Sequence, residues 1–189
     1  MTITQIGGFG RIGVQFTGLD KLQAAITRLE QGNRVVEKVM GIIGNFMRRC
    51  IVYNFKREEQ MDGTPWPPLS PLTLALRGKQ GKKLQNMGLD VLFSPQELMD
   101  QLVPAEDVEM LVDTGRMRNS ISYTVEGNSV YAGTNDEKAK THQFGGTSEF
   151  HGKTYQVPMR QFIYIRDDDE MTMIKMLTDE LIINALKAN

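Results

Sequence analysis

The architecture turns on RVVEKVMGIIGNFMRRCIVYNF, residues 34–55. Val35, Val36, Val39, Met40, Ile43, Phe46, Met47, Cys50, Ile51 and Phe55 recur at helical spacing as a wide apolar stripe, while Glu37, Lys38, Arg48, Arg49 and Lys56 fall mostly off it. A stripe this broad has to be covered by other elements, which predicts a long helix at the centre of the core. Gly41 and Gly44 interrupt it at about 1 kcal/mol each relative to alanine, a cost tolerated where a neighbouring element packs closely.

Upstream, residues 3–16 mix β-branched side chains with glycines and read as a short strand or hairpin. Asp20 then suits the N-cap of a first helix over 21–31, on which Leu22, Ala25, Ile26 and Leu29 share a face. Downstream, Met61 to Pro71 holds Asp62-Gly63 and Pro65, Pro67, Pro68 and Pro71, which predicts a rigid, extended loop closed by Ser70 as N-cap and Pro71 at the first helical position. Residues 77–104 lack sustained periodicity apart from the capped turn Ser94-Pro95-Gln96-Glu97, and are expected to form a flexible insertion. A short helix starting at Asp113 or Thr114 is followed by a hairpin of residues 121–125 and 129–133. Residues 161–165 read as a strand, and a terminal helix begins near Asp167, where Asp167, Asp168, Asp169 and Glu170 complement the N-terminal dipole. The sum is an α+β fold in which the central and C-terminal helices pack on a mostly antiparallel sheet, and one domain over 1–189 is expected.

The chain has 189 residues, 40% hydrophobic and 24% charged, a composition that sets aside wholesale disorder, collagen-like and coiled-coil classes. No apolar run reaches eighteen residues and the N-terminus lacks a secretory signal, so neither a membrane span nor entry into the Sec route is expected. The single cysteine, Cys50, forbids an intrachain disulfide and a Cys-rich zinc site, which points to a reducing compartment. Net charge is −1. Residues 1–60 carry nine Lys/Arg against five Asp/Glu and residues 104–189 nine against fourteen, an opposition that suits stacking or self-assembly and leaves no concentrated basic face for nucleic acid.

Several motifs invite chemistry and then lose it in context. Gly8-Phe9-Gly10-Arg11-Ile12-Gly13 spells the dinucleotide fingerprint, but the residues that follow read as strand and turn where a helix must start to meet a pyrophosphate. Asp113-Thr114-Gly115 is the triplet of an aspartic peptidase, yet it leads into helical spacing, so Asp113 or Thr114 reads as a helix cap and a dimeric peptidase using Asp113 is the distant alternative. His142 and His151 lack the further ligands of a metal site, even with Asp136 and Glu149 nearby, and are expected to be hydrogen-bonded structural residues. Two minimal PxxP matches at 65–71 lack a basic flank, which favours a Trp66-anchored loop packed on its own domain. No catalytic constellation, metal site or cofactor is expected.

Three segments in one order carry more weight: Asp62 to Thr73 (DGTPWPPLSPLT), Leu111 to Ile121 (LVDTGRMRNSI), and Thr141 to Gly146 (THQFGG) with Val157 to Phe162 (VPMRQF). Together they resemble the bacteriophage virion-morphogenesis, or tail completion, family of Mu-like and P2-like phages, with Met117 where a leucine is usual and Thr141 where an apolar residue is common. The resemblance implies a structural protein rather than an enzyme, located in the virion neck or tail and assembled in the host cytoplasm, a terminator that caps the tail tube so that it joins the head. A head-assembly or minor capsid role is the alternative. It further implies a ring of copies, hexameric by analogy with tail-tube symmetry, contacts with the tail tube protein and a head-completion or neck protein, and a lumen through which DNA passes, without membrane contact. The structural and interaction residues are then Trp66, Pro67, Leu69, Asp113, Thr114, Gly115, His142, Gln143, Phe144, Gly145, Arg160 and Phe162. Trp66 and Phe144 are expected to support contact loops, and Arg160 to pair with a carboxylate or with the His142–Gly145 segment.

Overall fold

The computed structural model describes residues 2–8, 11–17, 32–88, 90, 94–103, 106, 108–127, 129–150 and 152–187. Strands β1 (Thr2–Gly8) and β2 (Arg11–Thr17) are followed by the long helix α1 (Gly32–Arg57) and three short helices, α2 (Pro71–Arg77), α3 (Lys79–Asn86) and α4 (Pro95–Gln101). A single turn of helix, α5 (Arg116–Asn119), precedes β3 (Ser122–Glu126) and β4 (Ser129–Thr134). Helix α6 (Glu137–Phe144), the hairpin β5 (Gly146–Phe150) and β6 (Lys153–Val157), and α7 (Asp167–Lys187) complete an α+β fold.

The main sheet has the order β1-β2-β4-β3, antiparallel throughout, with Gln5 opposite Val14, Val14 opposite Ala132 and Tyr123 opposite Ala132. Ile12 and Val14 of β2 and Val130 and Ala132 of β4 are buried at alternate positions, giving one apolar face. Helix α1 lies against β3 and β4, burying Val39, Met40, Ile43, Met47, Ile51 and Phe55. Gly44 explains itself there: a Cβ would run into the ring of Tyr123 on β3. Helix α7 packs on α1 and lends Met173 to the same core.

A smaller second core lies to one side. Ala75, Leu98 and Leu102 are buried among Leu72, Leu76 and Leu84, joining α2, α3 and α4. Two caps read from sequence are in place: Ser70 accepts from Thr73 N, and Ser94 and Glu97 form a reciprocal capping box. Residues 77–104 thus contain α3 and α4, more regular structure than the missing periodicity suggested. The proposed helix over 21–31 and Phe9-Gly10 of the fingerprint lie outside the described residues. The flanking Gly8, Arg11, Ile12 and Gly13 belong to β1 and β2, a hairpin with no helix start for a pyrophosphate.

Three expectations need correction. Residues 161–165 are not a strand: they bend at Ile163, residues 162–165 are buried, and their backbone pairs with side chains rather than with a neighbouring strand. The β5–β6 hairpin was not anticipated, because it stands apart from the main sheet and buries little of either face, so no alternation of apolar residues marks it. His142, Gln143 and Phe144 form the last turn of α6, not a loop tip; Gly145 at φ +75° ends the helix.

Candidate functional site

Side-chain amides do the work of a missing strand in the segment 159–164. Gln143, fully buried, accepts from Phe162 N and Ile163 N at 3.0 Å each and donates to Ile163 O at 3.2 Å. Asn54, equally buried in α1, donates to Phe162 O and Tyr164 O, both at 3.0 Å. Gln60 brackets the other end, donating to Met159 O at 3.1 Å and accepting from Gln161 N at 3.0 Å. A carboxamide carries an acceptor and a donor on separate atoms without a charge, which suits Asn and Gln to these buried positions.

Trp66 anchors the proline loop to that segment. Its indole is 3% exposed, lies edge-on to Phe55 at 6.4 Å between ring centroids, and donates through Nε1 to Gln161 O at 2.9 Å. Phe162 packs on Phe55 at 4.9 Å. The loop is tightened by Gln60 N donating to Thr64 O and Trp66 N to Glu58 O, both at 2.7 Å, and by Asp62, which accepts from the backbone and hydroxyl of Thr64. Those two hydrogen bonds hold the Asp62 carboxyl below its ordinary pKa.

Arg160 is the brace between motifs. Among the described residues it pairs with no carboxylate: Nε donates to Pro67 O at 2.8 Å and an Nη to Pro68 O at 2.7 Å, while its backbone N donates to His142 O at 2.7 Å. One residue, 4% exposed, therefore fastens the proline loop to α6. His142 lies in the resulting wall. Burial, and after it the positive charges of Arg160, Lys138 and Arg77, push its pKa down to about 4. Its Nδ1 is buried without a hydrogen-bond partner among the described residues, so the expected structural hydrogen bond of the ring is not made there and no hydroxyl is poised against that nitrogen.

The Asp-Thr-Gly turn also departs from expectation. Neither Asp113 nor Thr114 is the N-cap of α5; Gly115 is, at φ +74°, a left-handed conformation that excludes it from the helix and suits glycine. Thr114 Oγ1 accepts from Arg116 N at 3.3 Å. The Asp113 carboxylate faces cations instead, Lys82 at 3.5 Å and Arg77 at 4.0 Å. Asp136 caps α6 through Lys138 N at 3.0 Å and meets Arg116 at 3.3 Å.

These parts surround one open cleft of about 640 Å³. Leu69 of the proline loop, Asp113 to Met117, His142 and Arg160 line it, together with Tyr155 to Pro158 from β6 and its exit. The four motifs, far apart in sequence, thus meet in space. Trp66, Gln143 and Phe162 stand behind as frame, and Phe144 projects to solvent elsewhere. Sequence reasoning missed Asn54, Gln60, Arg77 and Lys82; a polar Asn54 beside Ile51 and Phe55 in the apolar stripe was the one available signal. Among the described residues no cluster of three or more His, Cys, Asp or Glu could hold a metal ion, and no helix is long and apolar enough to cross a membrane.

Residues 94–182 match the model of the phage virion morphogenesis family. Over 69 residues the chain is 33% identical to the Mu-like prophage FluMu G protein 2 of Haemophilus influenzae, an alignment covering 36% of this chain and 49% of the relative. The chain therefore spans about half the length of the curated relative it matches. No solved structure matches it. The matched span holds the Asp113–Gly115 turn, α6 and Arg160, three of the four walls of the cleft, and leaves the proline loop outside. By this match residues 94–182 of the chain are similar to the phage virion morphogenesis family.

Proposed function

We propose that the protein is a tail-completion subunit of the virion neck, which caps the tail tube and prepares it for joining to the head. The observation that carries this reading is the convergence of four sequence motifs on one cleft with a stiff frame: Arg160, Gln143 and Trp66 hold its walls by short hydrogen bonds, and its rim offers paired charges and hydroxyls. Such a surface is fitted to a polypeptide held in one register. A ring of copies, six by analogy with tail-tube symmetry, would set these clefts around a lumen wide enough for DNA, with the tail tube protein on one side and a head-completion protein on the other.

Electron microscopy of lysates from a phage lacking this gene tests the reading. DNA-filled heads beside unattached or wrongly terminated tails are expected. Empty or malformed heads with sound tails would instead establish a head-assembly role, and normal infectious particles would overturn both.

A further inference from the structure

Two exposed apolar patches on the described surface each sit beside a charge, and the two charges are opposite. The first surrounds the end of α6. Phe144 is 47% exposed, Met159 41% and Met61 55%. They are neighbours: a Cβ on Gly145 would lie 3.6 Å from Met159 Cβ, and Gln60, the residue before Met61, donates to Met159 O. Lys140, one turn before Phe144, lies exposed on the same helix face.

The second patch runs along α7. Asp167, Met171 and Ile174 occupy one stripe at i, i+4 and i+7, with Met171 68% and Ile174 39% exposed. Among the described residues neither Lys140 nor Asp167 belongs to an ion pair. Each helix therefore presents an unpartnered charge followed one turn later by an exposed apolar side chain, and the two charges are opposite. Laid side by side in parallel, α6 and α7 would set Lys140 against Asp167 and Phe144 against Met171 at once, with Met159 and Ile174 extending the contact.

We propose that the end of α6 in one copy of this chain docks on the first two turns of α7 in a second copy. Unlike patches pair, so the contact is heterologous and propagates until a ring closes. The proposal deepens the assembly reading above and rests on it for the ring, while the pairing itself rests on the two patches.

Mixing two single variants, F144C and M171C, under mild oxidation tests the contact directly. The only native thiol, Cys50, is buried and its pKa is pushed up to about 12, chiefly by burial, so it supplies little background. A 144–171 disulfide between chains is expected in the mixture, in excess of either like-with-like product. Sedimentation of the uncrosslinked protein should show self-association weakened about fivefold or more by K140E or D167K alone and largely recovered in the mixture of the two. Circular dichroism confirms that each variant is folded, and M171E supplies an independent disruption if one variant is not. A chain that stays monomeric at high concentration, or accessible thiols that form no 144–171 product, would overturn the docking. Either result would leave the virion role to be judged by the lysates alone.

Discussion

Arg160 holds two carbonyl oxygens with one planar guanidinium, a geometry that an ammonium cannot reproduce. Arg160→Lys should cost about 1–2 kcal/mol and Arg160→Met about 2–3 kcal/mol, since the second leaves both proline carbonyls without their charged donor. Urea midpoints check this, and equal midpoints for all three proteins would remove the brace from the argument. His142 carries the opposite kind of information, about protons. Its folded pKa of about 4 lies below the ordinary 6.5, so the unfolded chain binds the proton first. Its contribution is fully present above about pH 6.5 and is lost as pH falls toward 4, by about 2–3 kcal/mol at most. Stability measured from pH 7 to 4 should therefore fall less steeply in His142→Asn than in the wild type. Parallel slopes would show that burial does not hold the imidazole neutral.

At the scale of elements, the segment 159–165 shows where sequence reading stops. Its composition is that of a strand, but its backbone bends at Ile163 and its partners are the carboxamides of Asn54, Gln60 and Gln143, from three remote positions that no periodicity links. Helix α1, the β1–β2 and β3–β4 hairpins, both serine caps and the start of α7 were legible because period and cap chemistry act locally. The β5–β6 hairpin and α3 were not, since neither buries a regular face. Gln143 tests the substitution of amides for a strand. Gln143→Leu should cost about 2–3 kcal/mol or more, because it removes the three hydrogen bonds that the buried carboxamide makes to Phe162 N, Ile163 N and Ile163 O. Gln143→Glu should be milder at acid pH, where a protonated carboxyl accepts from the N–H groups and donates to Ile163 O. Burial raises the folded pKa of that glutamate, so its deficit relative to wild type must widen as pH rises above the unfolded value of about 4.3. A deficit that is flat with pH, or as large as that of leucine throughout, would contradict the hydrogen-bonding scheme.

For the whole molecule, the cleft explains why the candidate site was legible as a set of motifs but not as a place. Residues at 69, 113–117, 142 and 160 share no local signal; they meet only because α1 carries the sheet on one side while Trp66 and Phe162 close over Phe55 on another. One wall of that cleft belongs to the small core of α2, α3 and α4, which among the described residues buries Ala75, Leu98 and Leu102 and reaches the rest through Arg77 to Glu109 O and Lys82 to Asp113. Among the described residues the main core buries twenty in one cluster. At about 1.5–3 kcal/mol for each fully buried large aliphatic side chain, the smaller core sits close to the conformational entropy of the helices it joins. It should therefore open on its own, at a free energy about 2–4 kcal/mol below global unfolding, carrying the Leu69 and Arg77 side of the cleft with it. Native-state hydrogen exchange measures this residue by residue. Amides of α4 should exchange through the lower-energy opening and those of α1 only through global unfolding. If α4 proved as strongly protected as α1, the two cores would be one cooperative unit and the cleft would be rigid on both sides.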